Sequence, residues 1–547
     1  MKPTFNLLDE PWIKVRTLHG DSEVVGLKEF FKRCDQFTTF DGETPTQNVA
    51  IFRLLMAVYI QTIRQFDAWA DLSEKELWES IRDDDEIGDD VCAYLEEHRD
   101  RFWLISPDTP FFQVADLHTK KGEYKSAAEL VPDAGPSLFS TQTRETANQL
   151  PLDLAARWLV HRQAYDFSGI KTGVEGDPRV KGGKGYPIGP GWAGNLGHTL
   201  LTGSTLKDLL LLNLPVRAIF PDGTSAFGQD LAPWEREPDT ARSRTLEDFT
   251  EPNGVVDILT WQQRRIRLFL SAEGTTVHEV IIANGDRINP QNCFGEPYSA
   301  QRYSKAKSKK GVDVYFARDL DPDLTVWRGV QATLMSGGQQ QNDKVAPAVE
   351  QLRGEVGAAI GETYAGKLVG LWLVGMTYGA QQSSFADEIA ETLPIHLGLL
   401  THDGQRLRQS ALEAIDVVFK LRGNLRWFYQ GLDRSLGGSS EHDFEAPIGA
   451  WMSLLEAEFT RWISTLNLGF DAEEALKRWL ETLRAVTLQT VQTAVEAAGP
   501  RAAIGVVLTD GNGNEALHNA ARYELWIRAR IRELTQVENP LTQKNED

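Results

Sequence analysis

Cysteine is nearly absent: Cys34, Cys92 and Cys293 stand far apart in a chain of 547 residues. An odd, scattered set gives neither a disulfide framework nor zinc-ligand spacing. No apolar run reaches the ~18 residues of a membrane span, and the opening "MKPTFNLLDEPWIKV" lacks the apolar core of a signal peptide. The expectation is a cytoplasmic protein with no membrane partner. Positive charge is also in deficit, with 57 Lys and Arg against 78 Asp and Glu, a net charge of −21. That balance argues against a general nucleic-acid coat, yet it leaves room for a local basic groove. Neither G-x-S-x-G nor H-E-x-x-H occurs, and no lysine is followed by Ser or Thr after a glycine, so no enzyme signature and no P-loop is present.

What is present has the length for two or three domains. "WIKVR", a turn at His19 to Asp21 and a second short strand read as a hairpin. Apolar residues recur at helical spacing from about 46 to 66, and "LPLDLAARWLVHRQAYDF" reads as another helix. "STLKDLLLLNLPV" is a short helix with Ser204 as its expected N-cap. Strand patterns dominate from about 255 to 330, with a turn at Glu273 and Gly274. "LVGLWLVGM" reads as an apolar helix, and no good strand pattern remains after about 390. Four amphipathic helices then follow, in "RQSALEAIDVVFKLRGNLRWFYQGL", "APIGAWMSLLEAEFTRWISTL", "AEEALKRWLETLRAVTLQTVQTAVEAA" and "NEALHNAARYELWIRARIREL". The fold class expected is α+β: a mixed α/β domain over 1–390, then a four-helix bundle over 391–547 with a disordered tail.

The most unusual stretch is "FSGIKTGVEGDPRVKGGKGYPIGPGWAGNLGHTLL", Phe167 to Leu201, with ten glycines beside Lys171, Arg179, Lys181 and Lys184. Glycine admits close backbone approach to an anion or a base edge. Its formal G-x-G-x-x-G lacks the preceding hydrophobic strand of a dinucleotide site. Three stretches concentrate cations: "WQQRRIR" with Arg264, Arg265 and Arg267, "RYSKAKSKKG" with Lys305, Lys307, Lys309 and Lys310, and "FKLRGNLRWFY" with Lys420, Arg422 and Arg426. Their functional reading is phosphate contact, against ordinary surface pairing. In "TYGAQQSSFADE", Gln381 and Gln382 occupy a short polar loop, and amides there can bond base edges as donor and acceptor. The pairs His402-Asp403 and His442-Asp443 raise an alternative, a metal-dependent phosphohydrolase or nuclease, although spacing supplies no further converging ligands.

"NLLDEPWIKV", "RFWLISPDTPFFQV" (Arg101 to Val114), "TWQQRRIRL", "ANGDRI" and "VWRGV" together resemble the CasA family, the large subunit of the type I-E CRISPR surveillance complex Cascade. The resemblance spans nearly the whole chain. It implies a non-catalytic protein without cofactor or metal, whose partners are the 5′ handle of a guide RNA, duplex target DNA, the other Cascade subunits and a separate helicase–nuclease. It further implies recognition of a protospacer-adjacent motif by a glycine loop, placed around Gly169, Lys171 and Gly173, and by a glutamine wedge, placed on Gln381 and Gln382. A further loop, "GPSLFSTQTRE" with Phe139, would meet the guide handle. Two features depart from the family: the hairpin "SAEGTTVHEV" carries no cysteine cluster, and no lysine at its tip, so no lysine finger is assigned.

Overall fold

The computed structural model describes residues 2–132, 144–221, 226–245, 247–335, 343–438, 443–509 and 515–536. It divides into two compact units, Met1–Tyr364 with Val369–Thr392, and Ala365–Leu368 with Leu393–Asp547.

Near its start the first unit holds strands β1 (Ile13–Thr17), β2 (Ser22–Val25) and β3 (Phe37–Phe40), in sheet order β2-β1-β3. Helix α1 (Pro45–Ile63) follows, its first turn secured by Thr44, which accepts from the Gln47 N–H at 3.2 Å. Every side chain from Val49 to Ile63 is buried, so this helix runs through the interior instead of lying on it. Arg53 within it and Arg64 at its C-cap each find a buried acid: Arg53 meets Glu296 at 2.8 Å and Arg64 meets Asp230 at 3.0 Å. Helix α2 (Leu152–Tyr165) packs beside it and delivers the chain into the glycine-rich stretch.

There the backbone forms a small ribbon, β4 (Lys171–Thr172) against β5 (Lys184–Gly185). Strand β6 (His198–Thr202) leads to helix α3 (Leu206–Leu212). The cap of α3 is Thr205, not Ser204: Thr205 and Asp208 form a reciprocal capping box, which needs an acid three residues on. Strands β7 (Arg264–Leu270) and β8 (Thr276–Asn284) make the main hairpin, with Gly274 at φ +75° in its turn. A second hairpin, β9 (Gln301–Tyr303) with β10 (Tyr315–Ala317), carries the lysine-rich segment in its loop.

Strands β11 (Leu368–Tyr378) and β12 (Phe385–His396) complete the sheet order β6-β11-β12. This corrects two sequence expectations. "LVGLWLVGM" is a strand rather than a helix, because a run apolar on both faces carries no periodicity to separate the two. Strand structure also continues past residue 390, to His396.

The second unit holds helices α4 (Gln405–Ser435), α5 (Glu445–Ile463) and α6 (Ala472–Ile504). On α4, the buried residues Leu407, Ala411, Ala414, Val418, Leu421, Leu425, Phe428 and Leu432 step by three and four, a seam that makes one face the core. Helix α6 breaks at Gly499, φ +72°, followed by Pro500. A hairpin then intervenes, β13 (Val506–Thr509) with β14 (Glu515–His518), before helix α7 (Ala520–Leu534). "EALH" is thus a strand, although its composition suits a helix; pairing with Val506–Thr509 overrides local propensity. Among the described residues no helix is long and apolar enough to cross a membrane.

Candidate nucleic-acid interface

The glycines of the ribbon serve its own geometry first. A Cβ on Gly173 would lie 2.4 Å from the Gly183 carbonyl carbon, so only glycine permits this crossing of the two strands. Gly182 and Gly183 both adopt positive φ, +59° and +74°, the conformation of a two-residue hairpin turn. Lys181 and Lys184 close that turn with two reciprocal backbone bonds of 3.1 Å. Gly169 is freer, since a Cβ there would meet only the Phe167 ring, at 3.2 Å.

Beneath the ribbon lies a carboxylate that the sequence reading overlooked. Asp166, wholly buried, forms ion pairs with Arg162, whose Nε lies 2.9 Å away, with Lys171 Nζ at 2.8 Å and with the Arg264 guanidinium. Burial opposes its charge, yet the three cations win and hold its pKa well below the ordinary carboxylate value. Burial drives Lys171 down from the usual lysine range, with Asp166 pulling the other way. Lys171 also sits over the Phe167 ring, 3.9 Å from its centroid.

Lys171 and Arg264 are therefore interior cations, not surface contacts for DNA. Arg264 spends its remaining donors on the carbonyls of Gln263, Phe167 and Gly189, at 3.1, 3.0 and 2.8 Å. Arg265 is equally buried; it donates to Asp286 at 3.0 Å and to the Thr240 carbonyl at 2.8 Å. The expectation of DNA contact is corrected for Lys171, Arg264 and Arg265. A guanidinium enclosed and saturated by internal acceptors has nothing left for a phosphate. Arg267 is half-buried, and burial lowers its pKa.

Gln381 and Gln382 are exposed at the tip of the β11–β12 hairpin, in a 3-10 turn over Ala380–Gln382. Both have positive φ, 56° and 55°, which glycine adopts freely and glutamine at a cost of about 1–2 kcal/mol each. The base of this hairpin is fixed in three places. Tyr378 donates its hydroxyl to the Tyr165 carbonyl at 2.7 Å, an approach that Gly194 allows by lacking a side chain. Phe385 meets Phe167 edge-on at 5.4 Å, with the Arg162 guanidinium 4.9 Å from one ring centre and 5.9 Å from the other. Glu388 accepts from the Thr46 N–H at 2.6 Å, at the start of α1, where burial raises its pKa.

The structure thus brings the glycine ribbon and the glutamine hairpin onto one footing, formed by Arg162, Asp166, Phe167 and Phe385. None of those four was singled out from sequence. The available signal was the end of α2, where Asp166 and Phe167 precede the first glycine of the stretch.

Lys305, Lys307, Lys309 and Lys310 are exposed in the β9–β10 loop, and among the described residues none has an ion-pair partner. On α4, by contrast, Lys420 pairs with Asp416 at 2.7 Å, and Arg422 and Arg426 share Glu445. Phe139 and His442 lie outside the described residues. Among the described residues no group of three or more His, Cys, Asp or Glu is placed to hold a metal ion.

Residues 6–490 match the family model described as CRISPR-associated protein Cse1. A CRISPR-associated protein CasA/Cse1 of Thermus thermophilus is 26% identical over 516 residues, covering 89% of this chain and 91% of that protein. The crystal structure of Thermobifida fusca Cse1 superposes with a TM-score of 0.81 at 32% identity, over 97% of this chain and 98% of that one. A chain from a CRISPR RNA-guided surveillance complex shares the fold at a TM-score of 0.70 and 18% identity, covering 97% of this chain and 99% of that one.

Proposed function

The chain belongs to the CRISPR-associated protein Cse1 family, and from that premise we propose that it is the DNA-interrogating large subunit of an RNA-guided surveillance complex. In this reading it performs no catalysis. It reads a short motif in duplex DNA beside the guide-matched segment, helps part the strands there, and provides a docking surface for a helicase–nuclease. The observation that carries the reading is the shared footing of two exposed loops. One presents freed backbone at Gly182 and Gly183, the other presents two amides held in left-handed conformation at Gln381 and Gln382. A rigid base with protruding polar tips suits recognition of base edges, since it orders the contacts before binding.

The test uses a duplex library with randomised bases flanking a guide-matched segment. Complex assembled with this chain should enrich particular flanks, and complex assembled without it should enrich none. Equal enrichment in both preparations would refute the motif-reading role.

The four lysines of the β9–β10 loop fit a second contribution, sequence-independent attraction to phosphates. Their charge stands unpaired on a chain of net charge −21. Each phosphate contact removed should lower the slope of log K against log salt by about one unit. Duplex binding by the complex carrying K305A/K307A/K309A/K310A, titrated from low to high salt, measures it. An unchanged slope takes this loop out of the DNA path.

A further inference from the structure

A cavity of about 370 Å³ lies in the first unit, lined by residues of α1, of α3 and of two short helices, Leu27–Arg33 and Ile87–Glu97. That volume falls in the range of small-molecule sites. None of its lining belongs to the ribbon or to the glutamine hairpin. Phe31, Ile87 and Leu210 give it apolar walls, and one side is the acid-rich run "DDDEIGDD", Asp83 to Asp90. The charges of the lining do not balance: Asp35, Asp84, Asp85 and Asp89 meet only Lys32 and Lys207. Asp89 is held by Lys32 at 2.7 Å, whereas among the described residues Asp35, Asp84 and Asp85 have no ion-pair partner. Cys34 adds no charge, because burial pushes its thiol up to about 12. The excess of acid is felt next door, where burial and then repulsion from Asp84, Glu86 and Asp89 raise the pKa of Asp90.

Tyr59, on α1, also lines this cavity. It is only 4% exposed, yet its hydroxyl has no hydrogen-bond partner among the described residues. Buried hydroxyls are ordinarily bonded. The ring is stacked with Phe31, 6.2 Å between centroids, so its direction is set. Burial raises its pKa, and Cys34 and Asp84 add to the rise, so the group stays a neutral hydroxyl with lone pairs to offer. An apolar wall, unpaired carboxylates and an unfilled buried hydroxyl call for one kind of occupant, an apolar stem ending in hydrogen-bond donors and positive charge. An ammonium has three donors and no acceptor. A metal ion suits the lining less well, since among the described residues no three acids are placed to hold one. We propose that this cavity binds a primary alkylammonium, its stem against Phe31, Ile87 and Leu210 and its charged end donating to Tyr59, Asp84 and Asp85. A free polyamine and a lysine side chain of a partner subunit share that chemistry.

The experiment titrates the full-length chain with putrescine in a calorimeter at constant ionic strength. Saturable one-to-one binding is expected, and none with butanediol, which has the stem without the charge. Y59F keeps the ring and its stacking on Phe31, so its thermal midpoint should match wild type. Its affinity should nevertheless fall about tenfold, the worth of one hydrogen bond to a charged group. D84N/D85N should weaken binding further. Repeating the titration on the assembled surveillance complex separates the two sources. Retained affinity identifies a free polyamine as the occupant, and lost affinity means that a partner's lysine already fills the cavity. The proposal is overturned if no saturable heat appears, if butanediol binds as well, or if Y59F and D84N/D85N both bind like wild type. Displacement of putrescine by an equal concentration of magnesium chloride also overturns it, since that marks a loose counter-ion and not a fitted stem. None of these outcomes bears on flank selection, which tests the function above separately.

Discussion

Replacing Asp166 by alanine should destabilise the first unit by roughly 3–5 kcal/mol, the cost of leaving buried charge without its counter-ion. Asp166 is the acid that Arg162, Lys171 and Arg264 share, and all four side chains are at most 5% exposed. The two arginines cannot shed their charge, because a guanidinium stays protonated in proteins. Lys171 can, since burial already depresses its pKa. That gives the effect a pH signature. With the carboxylate gone, the folded chain holds Lys171 further below the ordinary lysine value of 10.5, while the unfolded chain keeps the proton up to that value. Where the unfolded state binds more protons, stability rises with pH. Wild-type Lys171 itself gives up its proton near about 7, so the deficit of D166A relative to wild type should narrow as pH is raised from the acid side toward about 7 and hold level above it. Lys171→Met should cost far less, because Asp166 retains two arginines. Denaturant midpoints of the three proteins across pH decide it. A D166A protein within about 1 kcal/mol of wild type would mean that the cluster is not a structural keystone.

The second large effect is expected on strand opening. Parting one base step costs on the order of 1–2 kcal/mol of stacking. Gln381 and Gln382 can offset that by bonding the unpaired edges. Q381A/Q382A should then slow R-loop formation on a linear duplex about 5- to 30-fold, with guide assembly and nonspecific binding nearly unchanged. A target pre-opened beside the motif should restore the wild-type rate. Alanine tolerates positive φ no better than glutamine, so this variant keeps the strain and removes only the amides. Q381G/Q382G removes both. It should stabilise the turn by roughly 1 kcal/mol per residue and yet open duplex as slowly as the alanine variant. Equal impairment on paired and pre-opened targets would assign these residues some other task. A fast glycine variant would mean that the turn, and not the amides, matters.

Much of the architecture was legible because it depends on short-range order. The four C-terminal helices announce themselves through three-and-four spacing, as in Leu407, Ala411, Ala414 and Val418, which any core-facing helix must show. The β7–β8 hairpin was legible from its turn, where Gly274 takes the left-handed conformation that glycine alone adopts at no cost. Motifs such as "SPDTPFFQV" carried the family resemblance. What misled was the run "LVGLWLVGM", apolar on both faces, whose strand identity is settled by pairing with His198–Thr202.

The sequence by itself determined the acidic balance, the helix-rich C-terminal region, the glycine ribbon's composition and the family. The tertiary structure alone decided which cations are available to a partner. Arg264 and Lys305 are indistinguishable as letters in a basic stretch. One is enclosed because folding brings it to Asp166, 98 residues away in sequence, and the ion pair compensates its desolvation. The other has no such acid within reach among the described residues and stays in water. The meeting of ribbon and hairpin has the same origin. Phe167 and Phe385 touch because the fold closes a long loop between them, and no local pattern records a contact made at that distance.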